Sequence, residues 1–147
     1  MFRILIDADL ILEAVMNRSE LTADVSKLLE MVDSSIQMYL TNVGLQKIYA
    51  YTACLKNRQM ANIVVDWLGE NIKICIVDQS MMHTARLSPL KNFESAVEVV
   101  CLNHYQLNAI ITNQPEDFRE LVNRFYIWSF RDLWLRVNLE TQLQVSF

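Results

Sequence analysis

Two carboxylates, Asp7 and Asp9, follow directly on the apolar run Ile4-Leu5-Ile6, and a second apolar stretch, Leu10 to Val15, comes straight after them. A buried strand that delivers acids at its carboxyl end puts them where open α/β sheets bind ligands. A second pair, Glu94 and Glu98, is spaced by four residues, so on a helix both lie on one face. The polar group Thr112-Asn113-Gln114 closes another apolar run, Ala109-Ile110-Ile111. Carboxylates grouped in this way suit a hard divalent cation such as Mg²⁺, which is held by one or two of them together with waters and substrate phosphates. If these ends converge, one cleft holds Asp7, Asp9, Glu94, Glu98 and the polar group at 112–114. The chemistry this permits is metal-assisted phosphodiester hydrolysis, in which the metal lowers the pKa of a water and offsets charge on the phosphate. Plainer accounts stand beside it. Asp7 is a good helix cap, and Glu94 with Glu98 is an ordinary solvated helix face.

The elements that must position these residues alternate along the chain. Ile4 to Ile6 is short and wholly apolar, as in a strand buried on both faces. Ala8 to Asn17 reads as a helix, and Thr22 to Val32 as a second one with Val25, Leu28, Leu29 and Val32 on one face. Ile36 to Leu40 is the next strand. Thr41 or Asn42 caps a long helix through Leu55, and Arg58 to Leu68 is another, with Ile63, Val64 and Trp67 on one face and Gly69 as its stop. Ile72 to Val77 is a strand, and Gln79 to Leu87 a short helix broken by Pro89. Asn92 to Tyr105 is a helix with Phe93, Ala96, Val97, Val100 and Cys101 inward. Ala109 to Thr112 is a fourth strand, and Pro115 opens a helix from Glu116 to Asn123. Phe125 to Ile127 is a fifth strand, and Ser129 caps a last helix. Strands alternating with helices call for a mostly parallel sheet of four to five strands, covered on both faces in a three-layer α/β/α sandwich. Residues 1–138 form one domain, and the tail 139–147 is unassigned.

Composition agrees with this. Apolar residues make up 52% of the 147, with only 2 Gly and 2 Pro, which suits a globular, helix-rich chain rather than an all-β one. The net charge of −4 gives no support to a nucleic-acid partner, although an acidic metal site would itself contribute negative charge. Cys75 and Cys101 fall in apolar runs and read as buried free thiols; no zinc spacing exists. His83 and His104 lack metal-ligand spacing, and Lys56, Arg58 and Arg86 read as a solvated face. Nothing resembles a signal peptide or a membrane span, so a cytoplasmic protein with no membrane partner is the expectation. The aromatic group Phe125, Tyr126, Trp128, Phe130 and Trp134 reads as core, or as a partner or dimer interface.

Three segments carry a family resemblance. The opening Ile4-Leu5-Ile6-Asp7-Ala8-Asp9-Leu10-Ile11-Leu12, with Asn17-Arg18, resembles the start of a PIN domain, where an apolar strand runs into Asp-Thr-Asn-Val-Leu-Leu. Asn92-Phe93-Glu94-Ser95-Ala96-Val97 is similar to the family's third motif, Asp-Phe-Glu-Asp-Ala in one branch. Ala109 to Phe118 is similar to the last motif, Ile-Val-Thr-Arg-Asn-Pro-Lys-Asp-Phe. The resemblance spans residues 2–128. It implies a Mg²⁺- or Mn²⁺-dependent ribonuclease fold, often the toxin of a bacterial toxin–antitoxin pair and often a dimer. It further implies Asp7 and Glu94 as catalytic residues, Asp7, Asp9 and Glu94 as metal ligands, and Thr112, Asn113 and Gln114 near the substrate; Glu98, on the same helix face as Glu94, is a further candidate metal ligand, and Lys47 a candidate substrate contact.

The chain departs from that pattern. Asp9 stands where Asn is usual, Asn92 and Ser95 where one branch has Asp, and Gln114 where Asp or Asn is usual. Lys47, within Leu45-Gln46-Lys47-Ile48-Tyr49, falls nearest the family's second acid. If it points inward it places a cation where the family places an anion, and an ammonium there can stand in for the metal electrostatically; otherwise it is a surface lysine lying along its helix. Two readings follow. One is a metal-dependent endoribonuclease acting on single-stranded RNA. The other is a catalytically inactive PIN-like interaction or regulatory module with a protein partner or antitoxin. Fold alone does not decide between them.

Overall fold

The computed structural model describes residues 2–16, 36–118, 125–136 and 139. Five strands form one sheet: β1 (Phe2–Ile6), β2 (Ile36–Thr41), β3 (Lys73–Cys75), β4 (Ala109–Ile111) and β5 (Tyr126–Trp128). Their order is β3-β2-β1-β4-β5, and every pairing is parallel. The chain therefore builds outward from β1 in two directions. The strand order reverses there, and the crevice beyond the carboxyl ends of β1 and β4 is where such sheets bind ligands.

Both faces of the sheet are covered, which is why Ile4, Leu5 and Ile6 are apolar without alternation. Ile4 and Ile6 face one core with Met38, Leu40, Ala109 and Ile111. That core is closed by Leu10 and Ile11 of α1 (Ala8–Val15), Ile48 of α2 (Asn42–Leu55) and Leu68 of α3 (Arg58–Asn71). Leu5 and Ile110 face the other core. Met81 and Ala85 of α4 (Gln79–Arg86) and Ala96, Val97, Cys101 and Leu102 of α5 (Phe93–His104) fill it. The expected three-layer α/β/α sandwich with a mostly parallel sheet is found.

Caps fix the helix starts. Asp7, Thr41, Asn57, Asp78 and Asn92 each accept a backbone N–H from the first turn of the helix that follows. Ser129 and Asp132 exchange hydrogen bonds, Asp132 N–H to Ser129 Oγ at 3.1 Å and Ser129 N–H to Asp132 Oδ2 at 3.0 Å. This reciprocal cap opens the helix α6, residues 130–136. After α5 the backbone turns through Gln106, whose φ of 54° is left-handed, and Leu107 N–H reaches back to Leu102 O at 2.9 Å.

Several expectations need correction. Helix α1 ends at Val15 rather than Asn17. Gly69 lies inside α3, not at its stop; α3 runs to Asn71 and has no left-handed glycine, because Ile72 leaves it in extended conformation. The third strand is only Lys73–Cys75, and Ile76 beyond it is exposed. Ile63 and Trp67 face solvent, since α3 turns Ala61 and Leu68 inward instead. Phe93 sits at the first position of α5 and is exposed. Pro115–Phe118 is one 3₁₀ turn, and the rest of the helix expected to Asn123 lies outside the described residues. So do the expected helix Thr22 to Val32, Asn17-Arg18, the boundary at 138 and almost all of the tail. The aromatic segment divides. Phe125 and Phe130 are buried and Trp128 and Trp134 pack on the core, while Tyr126 is exposed and stacks on Trp128. Cys75 and Cys101 are buried and free as expected, with burial pushing their thiols up to about 11 and about 12.

The two glycines make opposite demands. A Cβ on Gly44 would come to 3.0 Å from Ala8 Cβ, 3.1 Å from Thr41 Oγ1 and 3.2 Å from Leu40 Cδ1, so α2 crosses α1 at a contact where a side chain would force its neighbours to shift. Gly69 has nothing within 4 Å of such an atom. Gly69→Ala is expected to stabilise the protein by about 0.5–1 kcal/mol through helix propensity. Gly44→Ala is expected to destabilise it by about 1 kcal/mol despite the same propensity gain, because Ala8 Cβ has no rotamer by which to yield. Urea midpoints of the two variants check this; a Gly44→Ala protein as stable as Gly69→Ala would refute it.

Candidate functional site

Asp7 is the first residue past β1. Its N–H donates to Ile111 O at 3.0 Å, which holds it level with the end of β4. Its carboxylate serves two partners at once. Oδ1 accepts the Asp9 N–H at 3.1 Å, capping α1, and Oδ2 accepts the Thr112 hydroxyl at 2.8 Å. Thr112 is wholly buried, and its own oxygen takes the Gln114 N–H at 3.0 Å. Asp7 therefore caps a helix and also stands in the crevice. Burial raises its pKa above the ordinary 3.8, and the hydrogen bonds from Thr112 and Asp9 oppose that rise.

Asp9 opens the first turn of α1, and Glu94 opens the first turn of α5, where Asn92 accepts the Glu94 N–H at 3.0 Å. Lys47 reaches between them from α2. Its Nζ lies 2.6 Å from Asp9 Oδ1 and 2.6 Å from Glu94 Oε2. One ammonium thus ties three helices, and its side chain is only 20% exposed. The inward alternative for Lys47 is the one the structure adopts. Burial alone pulls its pKa down, but the hydrogen bonds to Asp9 and Glu94 more than reverse this and leave it above the ordinary 10.5.

Glu98, one turn beyond Glu94, is 6% exposed rather than solvated. Burial pushes its carboxyl well above the usual range, and the charges of Asp7, Asp9 and Glu94 add to the rise. It lines a small, partly open recess of about 10 Å³ with Ala8, Thr41, Val43, Gly44, Glu94 and Val97, about the size of one water.

All four expected acids and Lys47 therefore converge. Asn113 makes no hydrogen bond to these acids: its Nδ2 donates to Glu13 Oε2 at 2.9 Å. Gln114 lines a cleft of about 260 Å³ beside Lys47. Sequence reasoning missed Glu13 and Tyr51, which also line it. The signal was available, since each lies four residues beyond a site residue, Asp9 or Lys47, on the same helix. His83, His104, Lys56, Arg58 and Arg86 are exposed.

As these side chains stand, they do not suit a divalent ion. Asp9 and Glu94 each give an oxygen to the same ammonium, both Asp7 oxygens already accept protein hydrogen bonds, and Glu98 is driven towards its neutral form. Among the described residues, no group of three or more His, Cys, Asp and Glu is arranged to hold a metal.

No family model and no curated protein matches the chain. Solved structures do. VapBC2 from Rickettsia felis bound to a promoter DNA fragment matches with a TM-score of 0.63 and 8% identity, over 87% of this chain and 100% of that one. VapBC-1 from nontypeable Haemophilus influenzae gives 0.65 and 9%, over 89% and 99%. A toxin–antitoxin complex from Klebsiella pneumoniae gives 0.58 and 12%, over 80% and 92%. At such identities the likeness is one of fold. No helix among the described residues is long and apolar enough to cross a membrane.

The buried acids set the pH dependence. Glu98 and Asp7 are raised in the fold, so the native state keeps protons that the unfolded chain releases above 4.5 and 3.8. Their contribution is full below those values and falls as pH rises towards the folded pKa. Lys47 is raised too, so its contribution is full below 10.5 and is lost only above that. Melting temperature is therefore expected to fall as pH rises from about 4.5 towards and past neutrality, and Glu98→Gln to flatten that fall. Melts across this range check it; an unchanged slope in Glu98→Gln would contradict it.

Proposed function

We propose that this chain is a PIN-like domain that works by binding a protein partner of the antitoxin kind, and that metal-dependent RNA cleavage is not its activity. The single observation that carries this reading is the Lys47 ammonium bridging Asp9 and Glu94 at 2.6 Å. A nuclease centre of the type the resemblance implies needs those oxygens for Mg²⁺ or Mn²⁺. Here they are engaged by a permanent cation of the protein's own. The likeness in fold to VapBC and toxin–antitoxin complexes supports the choice of partner. The cleft gives such a partner something to hold: Leu12, Met16, Tyr51 and Leu55 form an apolar wall, and Asp9, Glu13, Lys47 and Gln114 a polar end. The C-terminal aromatics are less suited, because most of them are spent on the core.

The convergence of Asp7, Asp9, Glu94 and Glu98 favours a second reading, an endoribonuclease acting on single-stranded RNA. Asp7→Asn separates the two, because Asn keeps the oxygen that caps α1 while it loses the charge and the acceptor of the Thr112 hydroxyl. Incubated with a mixed-sequence single-stranded RNA pool and Mg²⁺ or Mn²⁺, the native protein is expected to cleave no more than Asp7→Asn. Chelator-sensitive cleavage that disappears in Asp7→Asn would replace the first reading with the second.

A further inference from the structure

A second cleft lies at the opposite end of the sheet from the acids, where β4 and β5 begin and α5 ends. It encloses about 600 Å³, a size usual for small-molecule sites. Buried Leu102, Leu107 and Phe125 give it an apolar base, and exposed Asn103, Gln106 and Asn108 a rim of three carboxamides. Tyr126 completes the lining, in which no residue carries a charge. Arg3 of β1 fixes the rim. Its N–H donates to Asn108 Oδ1 at 2.8 Å, so the Asn108 amide keeps its Nδ2 to offer. Its Nη2 donates to Gln106 O at 2.8 Å. The Tyr126 N–H donates to Asn108 O at 2.9 Å and sets the ring beside that amide. The ring stacks on Trp128 at 5.2 Å, and Trp128 on Phe2 at 5.4 Å, yet Tyr126 stays 58% exposed. Gln106 supplies a separate sign. Among the described residues it is the one non-glycine residue with positive φ. A turn that served only to end α5 would be better made by glycine. A long carboxamide stands there instead, and it lines the cleft.

We propose that this cleft binds an uncharged planar heterocycle, a nucleoside, with its base stacked on Tyr126 and its edge hydrogen-bonded by Gln106 and Asn108. A base has two apolar faces and an edge of donors and acceptors. Tyr126, backed by two further rings, is a platform for the face, and such stacking tolerates any base. A carboxamide both donates and accepts, and can meet N7 and N6 of adenine together, so adenosine is the first choice. The uncharged lining decides between nucleoside and nucleotide or strand. Phosphates need cations beside them. The carboxyl end of α5 also points its dipole here, which disfavours an anion. The site shares no residue with the acid crevice and does not depend on the Lys47 bridge.

Amide NMR spectra of the native protein, titrated with adenosine, guanosine, cytidine and uridine, test the proposal. Adenosine is expected to give saturable shifts at Gln106, Asn108 and Tyr126 with a Kd at or below about 1 mM. Tyr126→Ala is expected to weaken binding by about tenfold or more. Gln106→Gly is expected to melt at a higher temperature, because glycine suits the left-handed backbone, and still to lose about tenfold in affinity. Adenosine monophosphate and a short single-stranded RNA are expected to bind no more tightly than adenosine. No saturable shift with any of the four nucleosides overturns the proposal, and so does full affinity in either folded variant. Tighter binding of the monophosphate or the RNA overturns the assignment to an uncharged ligand. Saturable shifts confined to Asp7, Asp9 and Glu94 overturn it as well, and favour the endoribonuclease reading instead.

Discussion

Four carboxyl groups crowd the crevice where the strand order reverses, and the fold has to neutralise them. Asp7 and Thr112 follow adjacent strands, so their juxtaposition is set by the β1–β4 pairing. Asp9 and Glu94 open two different helices, and Glu98 lies buried one turn further along α5. Like charges this close repel, and screening is weak away from bulk water. Three local devices answer the repulsion. Hydrogen bonds hold Asp7, burial favours the neutral form of Glu98, and Lys47 spans the other two. The crossing that brings α2 close enough for Lys47 to reach is the contact of Gly44 with Ala8, one turn before Lys47. A bare backbone on one helix thus decides where a charge on the same helix arrives.

Much of the fold was legible because strands buried on both faces leave a plain signal. Ile4-Leu5-Ile6 and Ala109-Ile110-Ile111 are apolar without alternation, and each ends in a polar residue at the crevice. Amphipathic helices were harder. Apolar spacing marks a helix but not which of two apolar stripes is buried. In α3 the small and branched residues Ala61, Val64 and Leu68 pack inward, and the larger Ile63 and Trp67 are left outside. Phe93 shows the same limit: it opens α5 and stays exposed, while Ala96, Val97, Cys101 and Leu102 of that helix pack inward.

The site was legible as a set of residue types and not as an arrangement. Asp7, Asp9, Glu94 and Glu98 could be placed at strand and helix ends from spacing alone. The direction of Lys47 could not, because a lysine in mid-helix looks the same whether it lies along the surface or turns in. Its neighbours carry the information in three dimensions, since Asp9 is 38 residues away in sequence and Glu94 is 47. Asn113 shows the converse. It lies beside Thr112 in sequence, but the backbone turn sends its side chain to Glu13 instead.

A cation on a side chain differs from a dissolved one in a way that reaches beyond the crevice. It is present at a fixed effective concentration whatever the surroundings supply, so the junction of α1, α2 and α5 does not depend on ion availability. A chelator cannot withdraw it, and a cell starved of trace elements leaves it in place. A metal-built junction would report on the ionic state of its compartment; this one is indifferent to it, and any surface shaped by those three helix ends inherits that constancy.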